Sequence, residues 1–169
     1  LATQPDRLNL TAVCELLAVS SKQPTVINMT LEEFQRHGGG SDKHGDGWGI
    51  AFYDENDARI IREPEAAVCS EHMNYLRQHA CASRSIIAHI RQASVGGTRL
   101  ENTQPFARAL NGRLHTFAHN GDLYELPKSI AHSPFTPLGD TDSEQAFCTL
   151  MQRIFHAGNG LEEALSYSQ

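Results

Sequence analysis

Apolar and polar positions along the chain alternate between two periods, and the switches between them mark the elements. CELLAVS (14–20) is a short apolar run suited to a buried strand, and TLEEFQRH (30–37) suits a short helix with Thr30 as N-cap and Glu33 closing a capping box. GGGSDKHGDG (38–47) is turn chemistry throughout. WGIAFYD (48–54) and ARIIRE (58–63) then form a hairpin pattern around Glu55-Asn56. SEHMNYLRQHA (70–80) predicts a helix and RSIIAHIR (84–91) a strongly apolar strand, followed by a long polar segment whose one fixed point is Pro105. RLHTFAHNGDL (113–123) places another strand immediately before Asn120-Gly121.

TDSEQAFCTLMQRIFHAG (141–158) is the clearest helix. Thr141 and Glu144 make a second capping box, Gly158 stands at the C′ position, and Ala146, Phe147, Leu150, Met151, Ile154 and Phe155 form one apolar stripe. LEEALSYSQ (161–169) has the pattern of a further helix beginning. Strand, helix, several strands in succession and helix again is not strict β-α alternation. It favours an α+β layered architecture with an antiparallel or mixed sheet.

Bulk composition narrows the function classes. At 169 residues with 40% hydrophobic and 20% charged positions, the chain has the size and content of one globular domain. Its net charge of −6 leaves no basic footprint for nucleic acid or anionic lipid, and no stretch approaches membrane-spanning length. Cys14, Cys69, Cys81 and Cys148 are widely spaced, without paired knuckles. They read as reduced thiols, which favours a cytoplasmic location. Nine histidines invite a metal reading, but neither His37 with His44 nor His115 with His119 is completed by cysteine or carboxylate ligands, so strand and loop roles are preferred.

Five stretches carry candidate chemistry: Cys14, GDGWG (45–49), HIRQAS (89–94), HNGD (119–122) and DTDSE (140–144). Each alone has a structural explanation. A cysteine in an apolar strand is usually an inert core residue. Asn-Gly after a strand is a type I′ turn signal, Asp142 in a first helical turn complements the macrodipole, and Trp48 suits a core aromatic. Together they are the parts of an amide-cleaving site. A thiol nucleophile needs a base, and an α-amino group titrates close to working pH. An Asn side chain followed by a Gly N–H supplies two oxyanion donors, while Arg and Asp suit the carboxylate and ammonium of an amino-acid substrate.

CELLAVS, GDGWGIAFY, IIAHIRQAS, LENTQPF, FAHNGDL and GDTDSE occur in one order over residues 14 to about 155. In these motifs the chain resembles the glutamine amidotransferase domain of class II, among the N-terminal nucleophile hydrolases, and most of all their stand-alone bacterial branch with a Cys-Glu-Leu-Leu start. The resemblance implies a four-layer αββα sandwich, a glutamine or γ-glutamyl substrate, and no metal or organic cofactor. It puts the nucleophile on Cys14, with that residue's own α-amine as base, and the oxyanion hole on Asn120 and Gly121. Arg91 matches the arginine that holds the substrate carboxylate, and Asp142 the aspartate that holds its amine. Gly47, Trp48, Asn102, Thr103 and Phe106 are placed near the pocket only.

The resemblance also carries expectations about the ends of the chain. Cys14 is preceded by Val13, so its nitrogen is an amide until residues 1–13 are removed as a propeptide or shown to lie upstream of the true start. A Val13 codon read as an initiator and then trimmed is preferred, because members of this branch begin Met-Cys and the leader carries no structural pattern. The domain, 14–169, is expected to be truncated at its C-terminus, with any ammonia passed to a separate acceptor enzyme. Hydrolysis of other γ-glutamyl compounds, or ligand binding without catalysis on the same fold, are the alternatives.

Overall fold

The small-large alternation of WGIAFYD sets the layering. In a computed structural model, which describes residues 14–40, 45–79, 81–93, 96–126 and 133–158, this segment is strand β2, Trp48–Asp54. The leader 1–13, His44 and the expected helical start at 161–169 lie outside the described residues. Successive side chains of a strand point to opposite faces. Trp48, Ile50 and Phe52 enter one core, whereas Gly49 and Ala51 present a thin surface to the other side.

Four antiparallel strands form the main sheet in the order β1-β4-β2-β3, with β1 at Glu15–Thr25, β3 at Asp57–Glu63 and β4 at Ser83–Ile90. The β2–β3 hairpin turns at Glu55-Asn56 as the pattern predicts, with Asp54 paired to Asp57. Pro24 is tolerated because β1 is an edge strand whose pairing with β4 becomes irregular after Ser20. Helices α1 (Asn28–His37) and α2 (Glu71–Gln78) cover one face, burying Leu31, Phe34, Met73 and Leu76 against Trp48, Ile50, Ile86 and Ile90. Each such side chain contributes about 1.5–3 kcal/mol of burial.

The α1 start differs from the sequence expectation. The helix begins at Asn28 and no side chain caps it; Ile27 takes the cap position, and its carbonyl accepts from Leu31 N at 2.8 Å. Ile27 and Leu31 are both buried, so their packing outweighs a threonine cap worth about 1 kcal/mol. Glu33 pairs instead with Arg36 and His37. The α2 cap behaves conventionally, with Ser70 Oγ accepting from Met73 N at 2.9 Å.

On the other face of the main sheet lies a two-stranded sheet, β5 (Phe106–Leu110) with β6 (Arg113–Phe117). Close approach is possible because residue 49 is glycine: a Cβ there would come within 2.2 Å of the Gln104 carbonyl oxygen. Arg62 Nη1 donates to Thr103 O at 2.9 Å, and Tyr53 Oη accepts from Thr116 N at 2.9 Å, tying the sheets together. Helix α3 (Asp142–Ala157) closes the stack, with Phe147, Cys148, Met151 and Ile154 packed on Phe106 and Leu110. The order is helices, sheet, sheet, helix, an α+β architecture with antiparallel sheets.

Helix α3 starts and stops as its sequence dictates. Thr141 Oγ1 accepts from Glu144 N at 3.2 Å, and Gly158 adopts the left-handed conformation at φ 68°. Only half of the capping box forms, since the buried Glu144 carboxylate goes to Arg108 at 2.6 Å and Gly139 N at 2.7 Å. The stripe is rotated slightly, leaving Phe155 about half exposed.

Two local expectations change. The polar stretch before residue 113 contains β5, and the tight hairpin of this region is at Asn111-Gly112, where φ is 51° and 73° and Leu110 pairs with Arg113. Strand β6 ends at Phe117, so Asn120-Gly121 joins no hairpin and His115 and His119 do not share a strand. The structural explanation of Asn120-Gly121 as a strand-joining turn is therefore removed.

Candidate active site

Strand register brings the candidate nucleophile to the candidate carboxylate-binding arginine. Glu15 pairs with Ile90 across β1 and β4, and one residue beyond that pair lie Cys14 and Arg91. Cys14 Sγ accepts from Gln92 N at 3.2 Å and lies 3.3 Å from Gln92 O. Burial pushes the thiol pKa up; the Gln92 backbone and the Arg91 charge oppose this, while Asp122 adds to it. Such a thiol holds its proton at neutral pH, and a nucleophilic role therefore requires a base.

Asn120 arrives from the other sheet. Its Nδ2 donates to Cys14 O at 2.5 Å, linking the chain just past β6 to the residue immediately before β1. Gly121 follows at φ 128°, a conformation that L side chains rarely adopt, so glycine is needed to turn the chain here.

Asp142 is the first residue of α3, and its carboxylate organises this turn. Oδ2 accepts from Leu123 N at 2.7 Å, and Oδ1 accepts from Ser143 N at 2.7 Å and from Ser143 Oγ at 3.2 Å. Ser143 Oγ in turn lies 3.1 Å from His119 Nδ1. Both flanks of Asn120-Gly121 are thus connected to the α3 start.

Arg91 is 3% exposed and is held by carbonyls. Nη1 donates to Gly97 O at 3.1 Å and Asp46 O at 3.5 Å, and Nη2 to Gly96 O at 3.1 Å. The GDGWG loop reaches it through backbone bonds, Arg91 N to Gly47 O at 2.8 Å and Asp46 N to Arg91 O at 3.3 Å. Asp46 Oδ2 accepts from Ala93 N at 2.9 Å, fixing the loop after β4. Gly47 has φ 133°, and a Cβ would approach Thr103 Oγ1 and Glu63 O to about 3 Å.

Asn102, fully buried, bridges this loop to the approach of α3. Its Nδ2 donates to Gly97 O at 2.9 Å and Asp140 Oδ1 at 2.7 Å, while its Oδ1 accepts from Asp140 N at 3.0 Å. The Asn102 amide, with Arg99, holds the Asp140 carboxyl below its ordinary pKa. Thr103 Oγ1 donates to Arg99 O at 3.0 Å. Trp48 has no exposed surface and belongs to the helix-side core, and Phe106 belongs to the core under α3. These two anchor the walls from behind rather than presenting a surface to a ligand.

The arrangement gathers a thiol just before β1, a guanidinium just after β4, an amide donor from the segment after β6 and a carboxylate from the start of α3. Among the described residues, no three His, Cys, Asp or Glu side chains come together as a metal-binding group, and no helix is long and apolar enough to cross a membrane.

Comparison with known proteins decides the family. The model of the class II glutamine amidotransferases matches residues 13–166. The chain belongs to the class II glutamine amidotransferase family. Over 142 residues it is 42% identical to the Escherichia coli protein named "Putative glutamine amidotransferase YafJ", covering 84% of this chain and 55% of that one. A Methanothermobacter thermautotrophicus amidophosphoribosyltransferase is 36% identical over 72 residues, 41% of this chain and 15% of that protein. The crystal structure of a "predicted glutamine amidotransferase" from Pseudomonas aeruginosa superposes with a TM-score of 0.60 at 38% identity, over 90% of this chain and 61% of the other. The chain spans about half the length of YafJ and a Haemophilus influenzae relative.

Within this class II amidotransferase fold, several residues at the site escape sequence reasoning. Gln92, Asp46, Ser143 and Leu123 take part through backbone groups or through spacing that only the folded loops create. Gln104 sits inside LENTQPF, between Thr103 and Pro105, and leaves no local signal of its own.

Proposed function

We propose that the mature protein cleaves a γ-glutamyl amide, glutamine in the simplest case, through a thioester on Cys14. The observation that carries this reading is the Asn120 side-chain amide donating to the carbonyl of Cys14 itself. An oxyanion donor must sit beside the nucleophile, and here residues far apart in sequence meet at that distance.

In the proposed reaction the Cys14 α-amine takes the thiol proton and Sγ attacks the γ-carbonyl carbon. Asn120 Nδ2 and the Gly121 N–H stabilise the tetrahedral oxyanion. Its collapse breaks the C–N bond, and ammonia leaves with the proton returned by the α-ammonium. Water, deprotonated by the same amine, hydrolyses the thioester to glutamate and restores the thiol. Arg91 receives the substrate α-carboxylate and Asp142 its α-ammonium, exchanging some of their present backbone partners for substrate. Trp48, Gly47, Asn102, Thr103 and Phe106 hold the loops that carry these groups.

The raised thiol pKa supports a mechanism with a dedicated base. An amine is available only when Cys14 begins the chain, so the proposed mechanism requires a mature form without residues 1–13, either by propeptide processing or by initiation at Val13 followed by removal of that first residue. Ammonia then passes to an acceptor enzyme or is released.

The test is ammonia release from glutamine by the full-length mature protein, with mass spectrometry of rapidly quenched samples. The expected result is turnover with transient mass added as one γ-glutamyl group on Cys14, and loss of both in Cys14→Ala. Undiminished turnover in that variant would sink the assignment.

A further inference from the structure

The β5–β6 ladder ends at the Phe106–Phe117 pair, yet one more rung follows. Two residues further out on each chain, where backbone pairing has stopped, the Gln104 side chain takes both main-chain groups of His119. His119 N donates to Gln104 Oε1 at 2.6 Å, and Gln104 Nε2 donates to His119 O at 3.3 Å. Gln104 is 5% exposed. His119 is the residue immediately before Asn120, so this amide-to-backbone pair fixes the point from which the Asn120-Gly121 turn departs.

The base of the clamp is itself immobilised. The Gln104 carbonyl lies over Gly49, with no room even for a methyl group, and its neighbours are held by Arg62 on the Thr103 carbonyl and by the buried ring of Phe106. His89, fully buried on β4, is the register partner of Gly49, the residue beneath that carbonyl. The rigid main sheet therefore reaches Asn120 through Gln104 and His119, independently of the contact that Asn120 makes with Cys14.

We infer that Gln104 is the positioning residue of the oxyanion hole: its amide clamps His119 so that the Asn120 side chain and the Gly121 N–H point at the reacting carbonyl. The inference rests on the amide-cleaving reading for its kinetic consequence, but its geometric content stands apart from activity. It needs both halves of the amide, a donor for His119 O and an acceptor for His119 N–H. A protonated carboxyl in the same place supplies both, whereas a carboxylate can only accept.

The experiment uses the full-length mature protein and its Gln104→Leu and Gln104→Glu variants, with melting temperature recorded for each. Ångström-scale misplacement of a catalytic group can cost about a hundredfold in rate. Accordingly kcat of Gln104→Leu is expected to fall about 10–100-fold with KM for glutamine changed less than threefold. Burial at this position should hold a glutamate carboxyl well above its ordinary pKa of about 4.3, so Gln104→Glu is expected to approach wild-type turnover at pH 5.5 and fall well below it at pH 8, each compared with wild type at the same pH. Equal loss at both pH values, or a loss confined to KM, overturns the inference, and Gln104→Glu decides the matter if the leucine variant does not fold. Amide hydrogen exchange at His119–Gly121 tests the clamp even if wild type releases no ammonia, which would defeat the proposed function alone. Faster exchange in the variants at unchanged global stability supports the clamp, and unaltered exchange overturns it.

Discussion

Asn120 Nδ2 lies 2.5 Å from the carbonyl oxygen of Cys14, across the junction between the two sheets. The contact makes a strand start and a loop end into one site. In the proposed reaction, substrate binding redirects this donor from the Cys14 carbonyl to the developing oxyanion.

Asn120→Ala should therefore lower kcat about 10²–10³-fold, the usual cost of one oxyanion donor, while KM for glutamine changes little. Steady-state ammonia release by the mature protein measures both constants. A rise in KM with unchanged kcat would assign Asn120 to substrate binding instead.

Arg91 has a structural role beside the substrate-binding one proposed for it. It is buried and satisfies the carbonyls of Asp46, Gly96 and Gly97. Arg91→Ala should weaken glutamine binding by about 2–3 kcal/mol and also lower stability by about 1–3 kcal/mol, because those carbonyls lose a charged donor. Urea unfolding alongside glutamine kinetics separates the two effects; a variant with normal stability and a normal KM contradicts both.

His89 makes stability depend on pH. Burial, with Arg91 and His119 pressing the same way, lowers its pKa from 6.5 to about 4, the His119 backbone opposing. The unfolded chain thus binds a proton that the folded chain refuses as pH falls from about 6.5 towards 4, and stability is lost across that window. At pH 5 the loss is about 2 kcal/mol. Urea melts at pH 7.5 and pH 5 should show that much less pH dependence in a folded His89→Gln variant than in wild type; identical pH dependence would contradict the burial argument.

The elements legible in the sequence were those whose signals are local. The β2–β3 hairpin, the helix within 70–80 and the Thr141-to-Gly158 helix follow from local pattern and, for the last, from its caps, and the structure keeps them. Strand β5 was hidden because Phe106–Leu110 is short and carries Arg108, which the fold pairs with buried Glu144. Asn111-Gly112 and Asn120-Gly121 have similar turn chemistry, and only tertiary context makes the first the hairpin and sends Asn120 to Cys14. Residues of the site with chemical character, Cys14, Arg91, Asn120 and Asp142, could be named beforehand. Those that hold them, Gln104 and Asp46, act through main-chain partners on other segments, and no periodicity encodes that.

Whether Cys14 acts with its own α-amine is tested by comparing two otherwise identical full-length proteins whose N-termini, established by intact mass, are Cys14 and Val13. The form beginning at Cys14 should release ammonia from glutamine. The form retaining Val13 should show none, since its Cys14 nitrogen is an amide that cannot accept the thiol proton. Equal activity in the two forms would contradict the mechanism.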